Sequence, residues 1–385
     1  MHSFDATRQT MDMKRFLSLF FLAAALFSAP AAAASALADT MPAVSARASV
    51  LFEPEGGRFP FEKNADERLP IASTTKLMTA LVALRLTPTD TLLTVPAAAC
   101  GIEGSSVYLR QGEKLTAEQL LYALLLRSAN DAASALAIAL SGSEEAFVAE
   151  MNAEAARLGC TDTHFANPHG LDNPEHYSSA RDLARIMAAC AENADFLRIC
   201  GEKKYVLPLD GRTQVLTNHN KLLFLRDDVL CGKTGFTKKA GRCLVSLSDR
   251  DGVRLIAVTI NAPDDWNDHL RLFDYGATLF ERRTIVTEGQ RFRISLSGGT
   301  ERYAYCRAAG AISAVVPRSG QSDITTDLLL PSILFAPVHT GDALGVCEVW
   351  AGKTLLGETA LLCERDVPEK TTEKHGIWKL FSFLR

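Results

Sequence analysis

Ser73 and Lys76 stand three residues apart in the stretch Ile71-Ala72-Ser73-Thr74-Thr75-Lys76-Leu77-Met78. If a helix begins there, both side chains project from the same side of its first turn. A serine hydroxyl is a weak nucleophile until a base removes its proton, and a desolvated lysine beside another cation can be that base. A helix start also presents free backbone N–H groups where an oxyanion would develop. Alone, the pattern says little, because Ser73 would serve equally well as a plain helix cap. Two further triplets sharpen it. Leu126-Arg127-Ser128-Ala129-Asn130-Asp131 supplies S-x-N, a hydroxyl and an amide able to contact a substrate and relay a proton. Cys231-Gly232-Lys233-Thr234-Gly235 supplies K-T-G at the start of an expected strand. There a lysine and a threonine suit a substrate carboxylate, and Gly235 lets the strand backbone come close.

The elements that must position these residues follow from the hydrophobic pattern. Residues 46–64 hold two short strand-like segments around Pro54-Glu55-Gly56-Gly57, a hairpin signal. From Ser73 to Leu84 the period is helical, with Leu77, Ala80, Leu81 and Leu84 on one face, and residues 117–190 form an Ala- and Leu-rich helical block. Residues 203–218 and 242–261 have the pattern of strands. A last helix is expected from about Trp266 to Phe280, with Leu270, Phe273, Ala277 and Phe280 in line. After Arg283 the pattern changes to short alternating strands broken by Pro317, Pro331 and Pro337, which predicts a separate small all-β domain over residues 285–366.

Both ends carry targeting signals. Lys14 and Arg15 precede an apolar run from Phe16 to Ala29, and Ala36-Leu37-Ala38 before Asp39 forms a small-x-small cleavage site, so residues 1–38 read as an export signal. Residues 367–385 end in a cluster where Ile377, Leu380, Phe381 and Leu384 share one face at 100° per residue, with Trp378 and Phe383 at its edges. An apolar cluster of that kind on an exported chain needs cover, from packing on the β domain or from a peripheral membrane contact, and the second is the expectation. The expected location is extracytoplasmic.

Composition excludes other classes. With 385 residues, 47% apolar and 22% charged, the chain is globular and long enough for two domains. A net charge of −4 and no basic run argue against a nucleic-acid partner. The nine cysteines are an odd number without C-x-x-C spacing, which argues against a cysteine metal site and predicts few or no disulfides; Cys243 reads as a small buried hydrophobe. Gly232-Lys233-Thr234 and Gly352-Lys353-Thr354 lack the upstream glycine of a P-loop. His164, His169, Asp172 and His176 cluster in a Pro- and Asn-rich loop without zinc-like spacing, so no metal or other cofactor is expected.

S-x-x-K, S-x-N and K-T-G in this order resemble the set of penicillin-binding proteins and serine β-lactamases. The chain is most similar to the low-molecular-weight D-alanyl-D-alanine carboxypeptidases. Glu62-Lys63-Asn64-Ala65-Asp66, Gly104-Ser105-Ser106-Val107, Phe165-Ala166-Asn167-Pro168-His169-Gly170-Leu171 and Thr217-Asn218-His219-Asn220 carry the likeness beyond the triplets. Ala129 stands where relatives commonly have glycine or aspartate, and Phe236 where they vary. The resemblance implies an α+β, transpeptidase/β-lactamase-like catalytic domain over residues 39–284, an antiparallel sheet with flanking helices and a helical lobe. It implies Ser73 as nucleophile, Lys76 as general base, Ser128 held near Lys76 and Asn130 as proton relay, and Lys233 with Thr234 on the substrate carboxylate. The Phe236 N–H would partner the Ser73 N–H in the oxyanion hole, with Gly235 letting the strand backbone approach. The implied substrate is the peptidoglycan stem pentapeptide, and β-lactam antibiotics would acylate the same serine. A β-lactamase shares the triplets, but class A enzymes use an E-x-x-L-N loop that is missing here. A non-catalytic penicillin-binding wall sensor would not need every reactive side chain.

Overall fold

The protein is described by a computed structural model, which covers residues 41–319 and 324–371. The expected export signal, residues 1–38, and the apolar part of the tail, residues 372–385, lie outside the described residues. The chain divides into two compact units with the break between Phe280 and Glu281.

The first unit is built on a five-stranded antiparallel sheet in the order β2-β1-β9-β8-β7, with β1 Ala48–Glu53, β2 Arg58–Lys63, β7 Val229–Thr237, β8 Gly241–Arg250 and β9 Val253–Ile260. Between β2 and β7 the chain forms helices α1 Lys76–Leu86, α2 Ala117–Leu126, α3 Asn130–Ser141, α4 Glu144–Arg157, α5 Ala180–Ala191 and α6 Ala194–Gly201. Two small ribbons lie in the same stretch, β3 Leu92–Thr94 with β4 Lys114–Thr116, and β5 Lys204–Leu209 with β6 Arg212–Thr217. Helix α7, Asp265–Leu279, closes the unit. Strand β1 and residues 243–248 of β8 are buried without alternation, which requires cover on both faces of the sheet. Helices α5 and α7 each pack on β1, β8 and β9 and supply it. The first hairpin is held from inside its turn: the buried Glu53 carboxylate accepts from Glu55 N at 2.9 Å and from Arg58 Nε at 2.7 Å.

Two expectations about helix faces change. Helix α1 is buried nearly all round, at Lys76 through Ala80 and again at Val82 and Ala83, because α2 to α6 all pack around it. Leu81 and Leu84, expected on the inward face, are only half-buried. Of the expected stripe on helix α7, Phe273 and Phe280 are buried but Leu270 and Ala277 only half-buried, and Asp265, Asp268, His269, Leu272 and Gly276 also turn inward. The polar members are satisfied there. His269 meets Ser246 Oγ through Nδ1 and Thr259 Oγ1 at 3.1 Å through Nε2, and Asp268 accepts from Ser45 N at 3.0 Å. Hydropathy alone misplaces a face whose buried side chains are hydrogen-bonded polar groups.

The second unit is all β. Strands β10 Phe280–Val286 and β13 Ile312–Pro317 pair with each other. Strands β14 Ile324–Leu329, β16 Ala343–Ala351, β17 Thr354–Cys363, β12 Tyr303–Ala308, β11 Arg291–Ser297 and β15 Leu334–Phe335 form a six-stranded sheet in that order. Its core gathers Val286, Ile294, Leu296, Ala304, Val349 and Leu361. All nine cysteines lie in the described residues, each as a free thiol, and Cys243 is fully buried. Among the described residues no single helix is long and apolar enough to cross a membrane.

Candidate active site

Ser73 lies in a 3-10 turn, Ala72–Thr75, that runs directly into α1 at Lys76. Ala72 holds a left-handed backbone, φ 47°, a costly conformation for a residue with a Cβ that packed surroundings must enforce. Gly170 is part of that enforcement, since a Cβ there would stand 2.1 Å from Ala72 O. The turn leaves Ser73 half-buried at the cleft while Lys76 is fully buried behind it. Lys76 Nζ lies 3.0 Å from Ser73 Oγ and donates to Asn130 Oδ1 at 2.7 Å and to His169 O. Burial, and secondarily the nearby Lys233 charge, push the Lys76 ammonium well below the usual lysine range. A lysine in that condition can hold a free lone pair near neutral pH, as a general base requires.

Ser128 and Asn130 sit where α2 gives way to α3. Ser128 also has a left-handed backbone, φ 61°. Asn130, the first residue of α3, is nearly buried and donates from Nδ2 to Glu103 O at 2.6 Å, while its N–H reaches Ser105 O at 2.7 Å. Lys233 and Thr234 come from the middle of β7 rather than its start. Lys233 is 1% exposed and donates to Ser128 Oγ at 3.0 Å and to Thr234 O at 2.8 Å. Burial lowers its pKa to about 7.

The expected residues therefore assemble, but with one change in wiring. Ser73, Lys76 and Asn130 form one hydrogen-bonded group, and the recorded side-chain bond of Ser128 runs to Lys233 rather than to Lys76 or Asn130. Gly235 brings β7 against the nucleophile turn. A Cβ on it would lie 2.9 Å from Ile71 O and 3.0 Å from Ser73 N, so the strand backbone approaches Ser73 as only glycine permits. Phe236, next along the strand, exposes its ring to solvent at the cleft mouth.

The cleft is open, about 330 Å³, and is lined by Ser73, Ser105, Ser128, His219, Thr234, Gly235, Phe236, Arg242, Asp265 and Trp266. Several of these escaped the sequence reading. Arg242 of β8 donates to Asp265 Oδ1 at 2.6 Å at the start of α7, and its guanidinium stands 5.5 Å from the centre of the Trp266 ring. His219 meets Arg127 Nη1 at 3.2 Å through Nε2, and burial lowers its pKa to about 4, so it is neutral. Its Thr-Asn-His-Asn motif was a usable signal, whereas nothing local in Arg242 or Asp265 marks them. Asp131 was also missed. It is fully buried and accepts from Ser106 Oγ, Val107 N at 3.3 Å and Leu109 N at 3.0 Å, pinning the segment that carries Ser105.

The histidine-rich loop has structural bonds. His176 meets Thr75 Oγ1 at 2.7 Å and accepts from Ala166 N at 3.1 Å, and Asp172 accepts from Thr237 Oγ1 at 2.9 Å. Among the described residues no group of three or more His, Cys, Asp or Glu side chains is arranged to hold a metal.

Comparison with known proteins agrees with this geometry. The sequence pattern of the D-alanyl-D-alanine carboxypeptidases matches residues 34–264, and that of the penicillin-binding protein 5 C-terminal domain matches residues 280–369. The chain is 29% identical to D-alanyl-D-alanine carboxypeptidase DacF of Bacillus subtilis over 92% of its length and 95% of that protein's. It is 30% identical to DacC of Escherichia coli over 89% of both chains. Among solved structures, penicillin-binding protein 5 of Haemophilus influenzae superposes with a TM-score of 0.63 at 27% identity, covering 86% of this chain and 99% of that one.

Proposed function

The chain belongs to the D-alanyl-D-alanine carboxypeptidase family and is a serine hydrolase of cell-wall peptidoglycan, and from that premise we propose the roles of its residues. Ser73 Oγ attacks the carbonyl between the two terminal D-alanines of a stem pentapeptide, and Lys76 takes the Ser73 proton. The N–H groups of Ser73 and Phe236 receive the oxyanion. As the C–N bond breaks, Ser128 passes a proton to the leaving amine and regains one from the Lys76 ammonium, which returns to its neutral form, with Asn130 fixing the position of Lys76. Lys233 and Thr234 hold the departing carboxylate. Water then hydrolyses the Ser73 ester, leaving a tetrapeptide and free D-alanine. A penicillin, whose strained amide occupies the same place, acylates Ser73.

The observation that carries these assignments is the placement of a fully buried Lys76, its pKa pushed well down by burial, 3.0 Å from Ser73 Oγ at an open cleft. The test is turnover of diacetyl-Lys-D-Ala-D-Ala with parallel labelling by fluorescent penicillin. Wild type should release D-alanine and label, and Ser73→Ala should do neither while melting like wild type. Covalent labelling of the folded variant would overturn the nucleophile. Labelling of wild type without D-alanine release would point to a non-catalytic sensor, and fast penicillin turnover to a β-lactamase.

The reaction is carried out on peptidoglycan, outside the cytoplasm. We assign residues 1–38 as the export signal, 39–284 as the catalytic domain, 285–366 as the β domain and 367–385 as a tail that holds the protein on the outer face of the cytoplasmic membrane. The apolar face of Ile377, Leu380, Phe381 and Leu384 supports the last assignment.

A further inference from the structure

Isolated exposed apolar side chains are ordinary on a protein surface, but a contiguous run of them is not. The β domain carries such a run. From Leu328 to Val338 no residue is charged. Leu329 is 54% exposed, Ile333 56% and Phe335 63%, with Leu328 and Leu330 also exposed. They are surplus to the core of the domain, which Ile294, Leu296, Ala304, Val349 and Leu361 already fill.

The pairing register puts this run at one end of the six-stranded sheet. Leu329 pairs with Val346 near the start of β16, on the edge formed by β14. Phe335 pairs with Ser297 at the end of β11, on the opposite edge, so residues 330–333 cross the sheet end between them. The chain leaves the described structure at the same end. Thr300 N donates to Pro368 O at 3.0 Å and Lys370 N to Gly298 O at 2.8 Å, beside the Ser297–Phe335 pair. Ile377, the first member of the tail's apolar cluster, lies six positions beyond Thr371, a tether of at most about 20 Å. A tail seated in a bilayer would therefore hold this end of the domain against it.

We propose that the loop from Leu329 to Phe335 is a second membrane-contacting element, entering the lipid interface beside the tail. The proposal rests on the tail's own membrane contact. Leu329, Ile333 and Phe335 supply the inserted side chains, and the loop's lack of charge lets it enter without carrying ions out of water. Two points of attachment, rather than one tethered helix, then define how the β domain meets the surface.

The test is co-sedimentation of the mature full-length protein with vesicles of phosphatidylcholine and phosphatidylglycerol. Three variants are compared with wild type: Leu329→Ser/Ile333→Ser/Phe335→Ser, a chain lacking residues 372–385, and the combination. The triple variant should label with fluorescent penicillin like wild type yet partition about tenfold or more weakly with its tail intact. The tail deletion should keep residual binding that the combination loses. A triple variant that binds as wild type does, while the tail deletion abolishes binding, would overturn the loop and leave the tail standing. A tail deletion that binds like wild type would instead remove the tail reading, and no binding by wild type would remove both. If the triple variant fails to fold, Phe335→Trp provides an independent readout. Brominated lipid should quench its emission beyond that of wild type, and equal quenching would overturn the proposal. Loss of a dimer in the triple variant without vesicles, with vesicle binding unchanged, would also overturn it in favour of a protein interface.

Discussion

Replacing Gly235 by alanine should damage acylation while leaving the fold in place. The new Cβ would stand 2.9 Å from Ile71 O, 3.0 Å from Ser73 N and 3.1 Å from Thr74 N. All three are backbone atoms of the nucleophile turn, so no side chain can swing aside. Restoring ordinary contact requires β7 and the turn to separate by roughly half an ångström, the scale on which misplacement of a reacting group costs tenfold or more. The motion also pulls the Phe236 N–H away from that of Ser73, and loss of one oxyanion donor costs about 100- to 1000-fold. The expected fall in the acylation rate constant is therefore about 10- to 100-fold, or roughly 1.4–2.7 kcal/mol in the barrier. Overpacking at one position costs about 1–3 kcal/mol of stability, a drop in melting temperature of about 2–12 °C. Stopped-flow acylation by a fluorescent penicillin reads the first quantity and thermal denaturation the second. A Gly235→Ala protein that acylates within about twofold of wild type would refute the assignment of this approach to the oxyanion site.

Lys76→Ala should block acylation near neutral pH, while Lys233→Ala should raise KM. Because the Lys233 charge helps to lower the Lys76 pKa, the acid limb of residual acylation in Lys233→Ala should move to higher pH, as a pH–rate profile will show. Lys233 is itself held near pKa 7 by burial, so carboxylate binding should weaken as pH rises through that value and KM for the peptide should climb above it. Asp131→Ala should destabilise the protein by about 1–3 kcal/mol by stranding buried N–H groups of Val107 and Leu109, and should slow acylation by loosening the Ser105 segment; calorimetry and labelling rates check the two effects. His169, His176 and His269 are held neutral by burial, with pKa values lowered to about 3, about 4 and about 3. Their contribution is fully present above the unfolded value near 6.5 and is lost as pH falls towards the folded values, so the melting temperature should drop between pH 6.5 and pH 4. A His269→Gln variant should show a shallower drop.

Several features were legible because they are local. The three-residue spacing of Ser73 and Lys76 places the lysine one turn from the hydroxyl in any chain that starts a helix there, and the order of the three triplets points to one chemistry. The strand pair around Gly56 and the change to short strands after Arg283 follow from short-range patterning. Other features depend on residues far apart in the chain. Ser128 bonds to Lys233, 105 positions away, because the fold brings the junction of α2 and α3 to β7. Arg242 meets Asp265 and Trp266 only because β8 delivers it to the start of α7. The inward face of α7 is only partly legible, at Phe273 and Phe280, because it also buries polar residues such as His269, matched by partners on β8 and β9, which hydropathy cannot register. The chemical identity of Lys76 is written in the sequence. Its usefulness as a base is not, because only the packing of α2 to α6 around α1 removes the water that would keep it charged.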